Sequence, residues 1–324
     1  AAGGCRPDPA PERVGADRPR AEPTDGPGDG RARTGTSAHA RALADASDTA
    51  TTAAAAPDLP DELRFDAVEI TRSMEADLHR AVGSDAEALA QVVKRVVVWW
   101  LDPRRDLRRG DRLDVVWSPA PAEDQEPRAH AVWLKSEKLG ATRVAVLHPL
   151  ERDPFPRWVD PVEGRWIERR LRPSPVERYE QITSLVNDGR RHRGIDFKAP
   201  EGTPVHATFA GRVTRVNWAR RVNGRCIEIT REGGRERALY LHLSRVAPEV
   251  RTGRRVERGQ KIGEVGNTGR SFAPHLHYQL ERDGRAVDPF RRHDSEVVPL
   301  TEDEVAAARA RLAALSRARR RIAP

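Results

Sequence analysis

Cysteine is almost missing: Cys5 and Cys226 are the only two among 324 residues. Neither a disulfide framework nor a cysteine-built zinc cage can be made from them, so any metal must be held by histidines and carboxylates. Lysine is scarce as well, with five of the 57 basic residues, at 94, 135, 138, 198 and 261. Aromatic residues reach only 5% and methionine occurs once. The longest strongly apolar run, Val96 to Leu101, falls far short of the ~20 residues a membrane-spanning helix requires, which excludes a helical membrane protein.

What is present is charge. Charged residues make up 33% against 38% hydrophobic, and the formal net charge is +8, so a long-range attraction to polyanions is expected. Nucleic acid and cell-wall polymer are both polyanions. There is no zinc-finger spacing, no basic zipper and no aromatic motif of the RNA-recognition type, and nucleic acid is therefore not expected as a partner. The length leaves room for two domains plus linkers.

Residues 1–58 are rich in Ala, Pro, Gly, Arg and Asp and contain no aromatic residue. They cannot bury enough surface to offset ordering entropy and read as a disordered tether. Within it, Gly3-Gly4-Cys5 resembles the residues around a bacterial lipoprotein cleavage site, which implies membrane attachment through a lipidated Cys5; the plain alternative is a stray cysteine. Residues 59–160 read as an α+β domain. Phe65 to Ile70 alternates as a half-buried strand, Ser84 starts a helical stretch through Ala86, Leu89, Val92, Val93 and Val96, and 113–117 and 131–135 read as strands. No active-site cluster is found there.

Residues 173–292 form a third unit dominated by glycine-punctuated strands of five to six residues, at 211–216, 226–230, 238–243, 261–265 and 276–280, which predicts a mainly β domain of antiparallel sheets. Over 301–321, Thr301 followed by Glu302, Asp303 and Glu304, with Arg317 to Arg321 at the far end, predicts a C-terminal helix whose charges suit its macrodipole.

Five of the ten histidines fall between 192 and 277. His275 and His277 lie two apart, so on a strand both project from one face, with Leu276, Tyr278 and Leu280 on the other. The segment 238–243 is expected to repeat the scheme, Leu239, Leu241 and Leu243 on one face and Tyr240 with His242 on the other. His192 and Asp196 lie four apart, ~13 Å on an extended strand and too far for one metal ion, so the chain must bend between them, and Gly194 permits it.

His192-x-x-x-Asp196, Tyr240-x-His242 and His275-x-His277, in that order, resemble the LytM-type, lysostaphin-like M23 family of zinc peptidases. Ala199 to Val205, Ala210 to Val213, Gly259 to Gly263 and Gly266-Asn267-Thr268-Gly269 are similar to that family's turns and strands. The resemblance covers about 100 residues, 190–290. It implies one Zn²⁺ per chain bound by His192, Asp196 and His277, with His242 and His275 as catalytic residues flanking a metal-activated water. Which of the two is the general base stays open. Tyr240 and Asn217 are candidate substrate contacts. The stretch 183–191 is shorter than its family counterpart and lacks the usual aromatic-glycine and histidine-proline pattern, which implies a reduced cleft wall.

The segment Asp106 to Leu113 is similar to the upstream domain of Gram-negative cell-shape endopeptidases of this family, a looser match over about 60 residues. In those relatives the upstream part can cover the active-site groove; whether it does so here stays open at the level of sequence. The resemblance as a whole implies an exported protein of the periplasm or cell envelope that hydrolyses peptidoglycan peptide cross-links. The alternative is a catalytically silent wall-binding or amidase-activating module. His206 is expected to be structural, Cys226 a packed, inert thiol, and Arg251, Arg254, Arg255 and Arg258 a solvated rim.

Overall fold

The computed structural model describes residues 59–122, 125–188 and 192–322. The tether expected over 1–58, with Cys5, lies outside the described residues. The first layer is a seven-stranded antiparallel sheet. It opens with β1 (Arg64–Glu69), followed by two helices, α1 (Met74–Val82) and α2 (Ala86–Val97), and continues through β2 (Arg112–Ser118), β3 (Arg128–Lys135), β4 (Thr142–His148), β5 (Arg157–Asp160) and β6 (Arg165–Arg172). The Ser73 hydroxyl caps α1 by accepting from the Ala76 amide at 3.1 Å. The sequence places the start of α2 at Ser84; its N-cap is instead Asp85, without a side-chain cap bond.

Beyond β6 the chain builds a second layer. Its elements are β7 (Gln181–Ser184), β8 (Ile195–Lys198), β9 (Pro204–His206), β10 (Gly211–Val216), the short α3 (Arg220–Asn223), β11 (Arg225–Arg231), β12 (Glu236–Leu243), β13 (Arg245–Val246), β14 (Arg255–Val256), β15 (Lys261–Glu264), β16 (His275–Arg282) and β17 (Arg285–Val287). The main sheet runs β14-β10-β11-β12-β16-β8-β7 with β17 also paired to β16, and β13-β15-β9 make a small third sheet. All these pairings are antiparallel, as the strand spacing predicts. Their facing side chains, among them Ile195, Phe197, Val205, Val213, Ile229, Tyr240, Ile262, Leu276, Tyr278 and Leu280, form one buried core.

After α4 (Pro289–Arg292) the chain returns to the first sheet: β18 (Asp294–Pro299) pairs with β6, and α5 (Glu302–Ile322) closes the fold. The Thr301 hydroxyl accepts from the Glu304 amide, and the Glu304 carboxylate accepts from the Thr301 amide, a reciprocal cap that starts α5 where the sequence predicts. The first sheet is thus covered on both faces. Leu113, Val115, Val132, Leu134 and Ala145 pack under α1 and α2. Val116, Ala131, Trp133, Val144 and Val146 pack under Ala308, Leu312 and Leu315 of α5. Double coverage explains why β2, β3 and β4 carry apolar residues on both faces. Among the described residues no helix is long and apolar enough to cross a membrane.

Candidate metal centre

Three strands and one loop supply the histidine cluster. β8 and β16 pair antiparallel with Asp196 opposite His277 and Lys198 opposite His275, and β12 lies along the other edge of β16 with Leu241 opposite His277. His192 stands on the loop before β8, and its chain bends back as the four-residue spacing demands. Asp196 Oδ1 is 3.1 Å from His192 Nε2 and 2.9 Å from His277 Nδ1, and the two ring nitrogens are 3.1 Å apart.

The remaining ring nitrogens are already committed. His192 Nδ1 lies 3.1 Å from the Leu185 carbonyl, and His277 Nε2 lies 3.4 Å from Gln279 Oε1. Each can only donate to such an oxygen, which leaves His192 Nε2 and His277 Nδ1 as lone pairs aimed, with Asp196 Oδ1, at one another. Ligands ~2.1 Å from a tetrahedral zinc stand about 3.4 Å apart, so expansion by a few tenths of an ångström fits this donor set to a divalent cation. Among the described residues this is the one group of three such donors close enough together to share an ion.

Electrostatics follow the geometry. Burial alone would raise the Asp196 pKa, but the hydrogen bonds and positive charge that the His192 and His277 rings supply in their protonated form hold it far below the usual carboxylate range. Burial disfavours the charged form of His192, yet the Asp196 carboxylate outweighs it and the net shift is upward.

His242 and His275 stand beside the triad, ring centroids 4.8 Å apart. The ring of His242 is 6.2 Å from that of His277, and His275 Nε2 is 4.0 Å from Asp196 Oδ1. His242 Nδ1 donates to the Thr268 carbonyl at 2.9 Å and His275 Nδ1 to the Ala273 carbonyl at 2.8 Å. Both therefore carry the lone pair on Nε2. Burial, with His275 and His277 close by, pushes the His242 pKa down to about 4 despite the Thr268 bond, so this imidazole is neutral near pH 7.

The sequence places Tyr240 and His242 on one face, and here the structure requires a correction. β11 and β12 slip by one residue between Arg225 and Ile227, so two residues of β12 answer one of β11, and His242 has φ +66°. This bulge turns His242 toward the side of Leu241 and His277. Tyr240 points the other way. It is 0% exposed, and its hydroxyl accepts from the Thr208 amide at 3.0 Å. Tyr240 is a core residue and not a substrate contact, because no atom of it reaches the surface. Leu243 lies in the same core, while Leu239 and Leu241 pack with Cys226 on the opposite face.

Asn217 is exposed at the end of β10, and its Oδ1 accepts from the Cys226 amide at 3.2 Å. Cys226 is fully buried with its pKa raised by burial, consistent with an unreactive thiol.

Sequence reasoning missed the groups that hold the histidines. The Thr268 hydroxyl donates to the Leu243 carbonyl and accepts from the Arg225 amide, fixing the carbonyl that orients His242. Gly269 allows this turn to pack, since a Cβ there would stand 2.3 Å from the Gly224 nitrogen. Phe272, on the loop before His275, is 97% exposed.

Two histidines and an aspartate converge on one point of a β domain, with two further imidazoles offering Nε2 beside them, which is the donor arrangement of a candidate metal centre. Residues 190–289 match Peptidase family M23. Over 200 residues, 58% of this chain, it is 35% identical to the peptidoglycan DD-endopeptidase ShyA of Vibrio cholerae, covering 44% of that protein. Over 137 residues, 40% of this chain, it is 34% identical to an uncharacterized metalloprotease of Haemophilus influenzae, covering 28% of it. The chain thus spans less than half the length of these two relatives. A solved zinc-containing peptidase from Vibrio cholerae is 29% identical over 70% of each chain, with a TM-score of 0.33.

Proposed function

We propose that this protein is a zinc-dependent endopeptidase of the cell envelope that hydrolyses peptide cross-links of peptidoglycan, with the D,D bond between D-Ala and diaminopimelate as its substrate bond. The observation that carries the reading is the convergence of His192 Nε2, Asp196 Oδ1 and His277 Nδ1 within 3.1 Å of one another. Zinc bound there, one per chain, supplies Lewis acidity toward water and the scissile carbonyl.

The protein's own groups do the rest. Asp196 stays ionised and offsets the ion's charge. His192 and His277 are held in their rotamers by the Leu185 carbonyl and Gln279. Neutral His242 takes a proton at Nε2 from the attacking water and returns it to the leaving amine, and His275, whose Nε2 faces the same space, donates to the developing oxyanion in its protonated form. The bond choice rests on the similarity to DD-endopeptidases, and the envelope location on where such cross-links exist.

Digestion of cross-linked sacculi with mass analysis of the products tests activity and bond identity together. The expected result is release of un-cross-linked muropeptides, abolished in His242→Ala with zinc retained. Binding to sacculi without product, or stimulation of a partner amidase that survives His242→Ala, would replace the reading with the catalytically silent one.

A further inference from the structure

Alternation along β16 puts His275, His277, Gln279 and Glu281 on one face, while Leu276, Tyr278 and Leu280 enter the core. The last two polar residues of that row are unusually buried, Gln279 at 6% exposure and Glu281 at 3%. Buried polar groups at that depth must be satisfied, and here they are satisfied in a fixed order. The Glu281 carboxylate accepts from Arg193 Nη2 at 2.9 Å and from Arg237 Nε at 2.6 Å. It also accepts from Gln279 Nε2.

An amide side chain can present either its oxygen or its nitrogen. A carboxylate held by two guanidinium groups only accepts, so it draws the Gln279 nitrogen to itself and turns Oε1 toward His277 Nε2. An oxygen at that point holds the His277 proton on Nε2 and leaves the lone pair on Nδ1, the atom facing Asp196 and His192. Arg193 gives the same carboxylate a second hold, because it follows His192 directly in the chain. Glu281 thereby joins the loop carrying His192 to the strand carrying His277.

We propose that Glu281, through Gln279 and Arg193, is a positioning residue that sets the ring orientation of His277 and the placement of His192, although it touches neither ring. This inference rests on the reading of His192, Asp196 and His277 as a zinc site. Outer-shell partners of metal-bound histidines are commonly worth 10–100-fold in metal affinity.

The test is zinc affinity of the full chain by chelator competition, with the visible spectrum of the Co²⁺-substituted protein as a second readout. Gln279→Leu and Glu281→Leu are each expected to weaken zinc about 10–100-fold and to alter the Co²⁺ bands. The double variant should be no worse than the more affected single one, because both act along one chain of bonds. The exchanged pair, Gln279→Glu with Glu281→Gln, keeps an acceptor at His277 and a donor behind it, and should restore affinity to within about threefold of wild type. If Glu281→Leu fails to fold, Gln279→Leu and the exchanged pair still decide. Unchanged zinc affinity and Co²⁺ spectrum in Gln279→Leu, or strictly additive losses in the double variant, overturn the inference. A wild-type chain that takes up no zinc removes the zinc reading itself, whereas wild-type uptake with unaffected variants removes only the role of Glu281.

Discussion

Gly194 and His277 stand so close that a Cβ on the glycine would lie 2.7 Å from His277 Nε2 and 2.5 Å from the Tyr278 carbonyl. The sequence suggests Gly194 for its ability to bend the chain; the structure shows that the missing side chain matters because strand β16 leaves no room for one. Gly194→Ala must displace either the His192 loop or the His277 ring. Overpacking of this kind costs ~1–3 kcal/mol. The expected outcome is that loss in denaturant unfolding together with at least tenfold weaker zinc binding. Normal zinc affinity in a folded variant would refute the tight fit.

His242 combines a chemical role with a backbone one, because it occupies the left-handed region at φ +66°. Removing the imidazole by either His242→Ala or His242→Gly is expected to lower sacculus hydrolysis about 10²–10⁴-fold, the range for a lost acid–base group. The two should differ in stability. Glycine relieves the left-handed strain that alanine keeps, so the Gly variant should be more stable by ~1 kcal/mol, which urea unfolding of the two proteins measures.

His130 and His293 lie away from the metal centre. Burial, reinforced by Arg311 and Arg128, pushes His130 down to about 4. Burial also brings His293 to about 4, with Arg231 adding to it and Glu236 opposing it. An unfolded histidine titrates near ~6.5, so between those values the unfolded chain binds more protons and stability falls as pH drops from about 6.5 toward 4. His130→Gln and His293→Gln should each flatten this slope relative to wild type in urea midpoints taken at pH 6.5 and 4.5. Parallel slopes would show that these rings are not held neutral.

Glu168 has the opposite sign. Burial pushes its pKa up to about 8, against the opposing influence of Arg157 and the Ile182 amide. The folded state keeps a proton that the unfolded chain loses above ~4.5, so this group's contribution is present at acid pH and lost as pH rises toward 8. Glu168→Gln retains an acceptor for the Ile182 amide, which now lies 3.2 Å from Oε1, and carries no charge. It should be more stable than wild type at pH 8 and equal to it at pH 4.5 by thermal unfolding.

Much of the site was legible because its spacing reflects backbone geometry. Two histidines at i and i+2 share a strand face, and His192 with Asp196 requires a bend, which residues 192–194 supply. The strands of the second layer fall where alternation and glycine place them. The faces of β12 were misread because one extra residue at Leu241–His242 inverts the alternation beyond it, and no local sequence feature distinguishes a bulged histidine from a regular one. Gln279 and Glu281 continue the period-two row of His275 and His277 and could have been found by extending it. Their partner Arg237 comes from another strand and Arg193 from the loop before β8, contacts that periodicity does not encode.

Arg172 and Asp294 are register partners on β6 and β18, so everything between them departs from and returns to a single spot on the first sheet. Neighbouring strands lie only ~4.8 Å apart, which is the arrangement of one module spliced into another. Trimming the polypeptide at residue 160 would orphan β6, β18 and α5 together. A cleaner excision cuts between residues 172 and 294 and rejoins the host strands with a hairpin turn, yielding two pieces whose stabilities can be weighed separately.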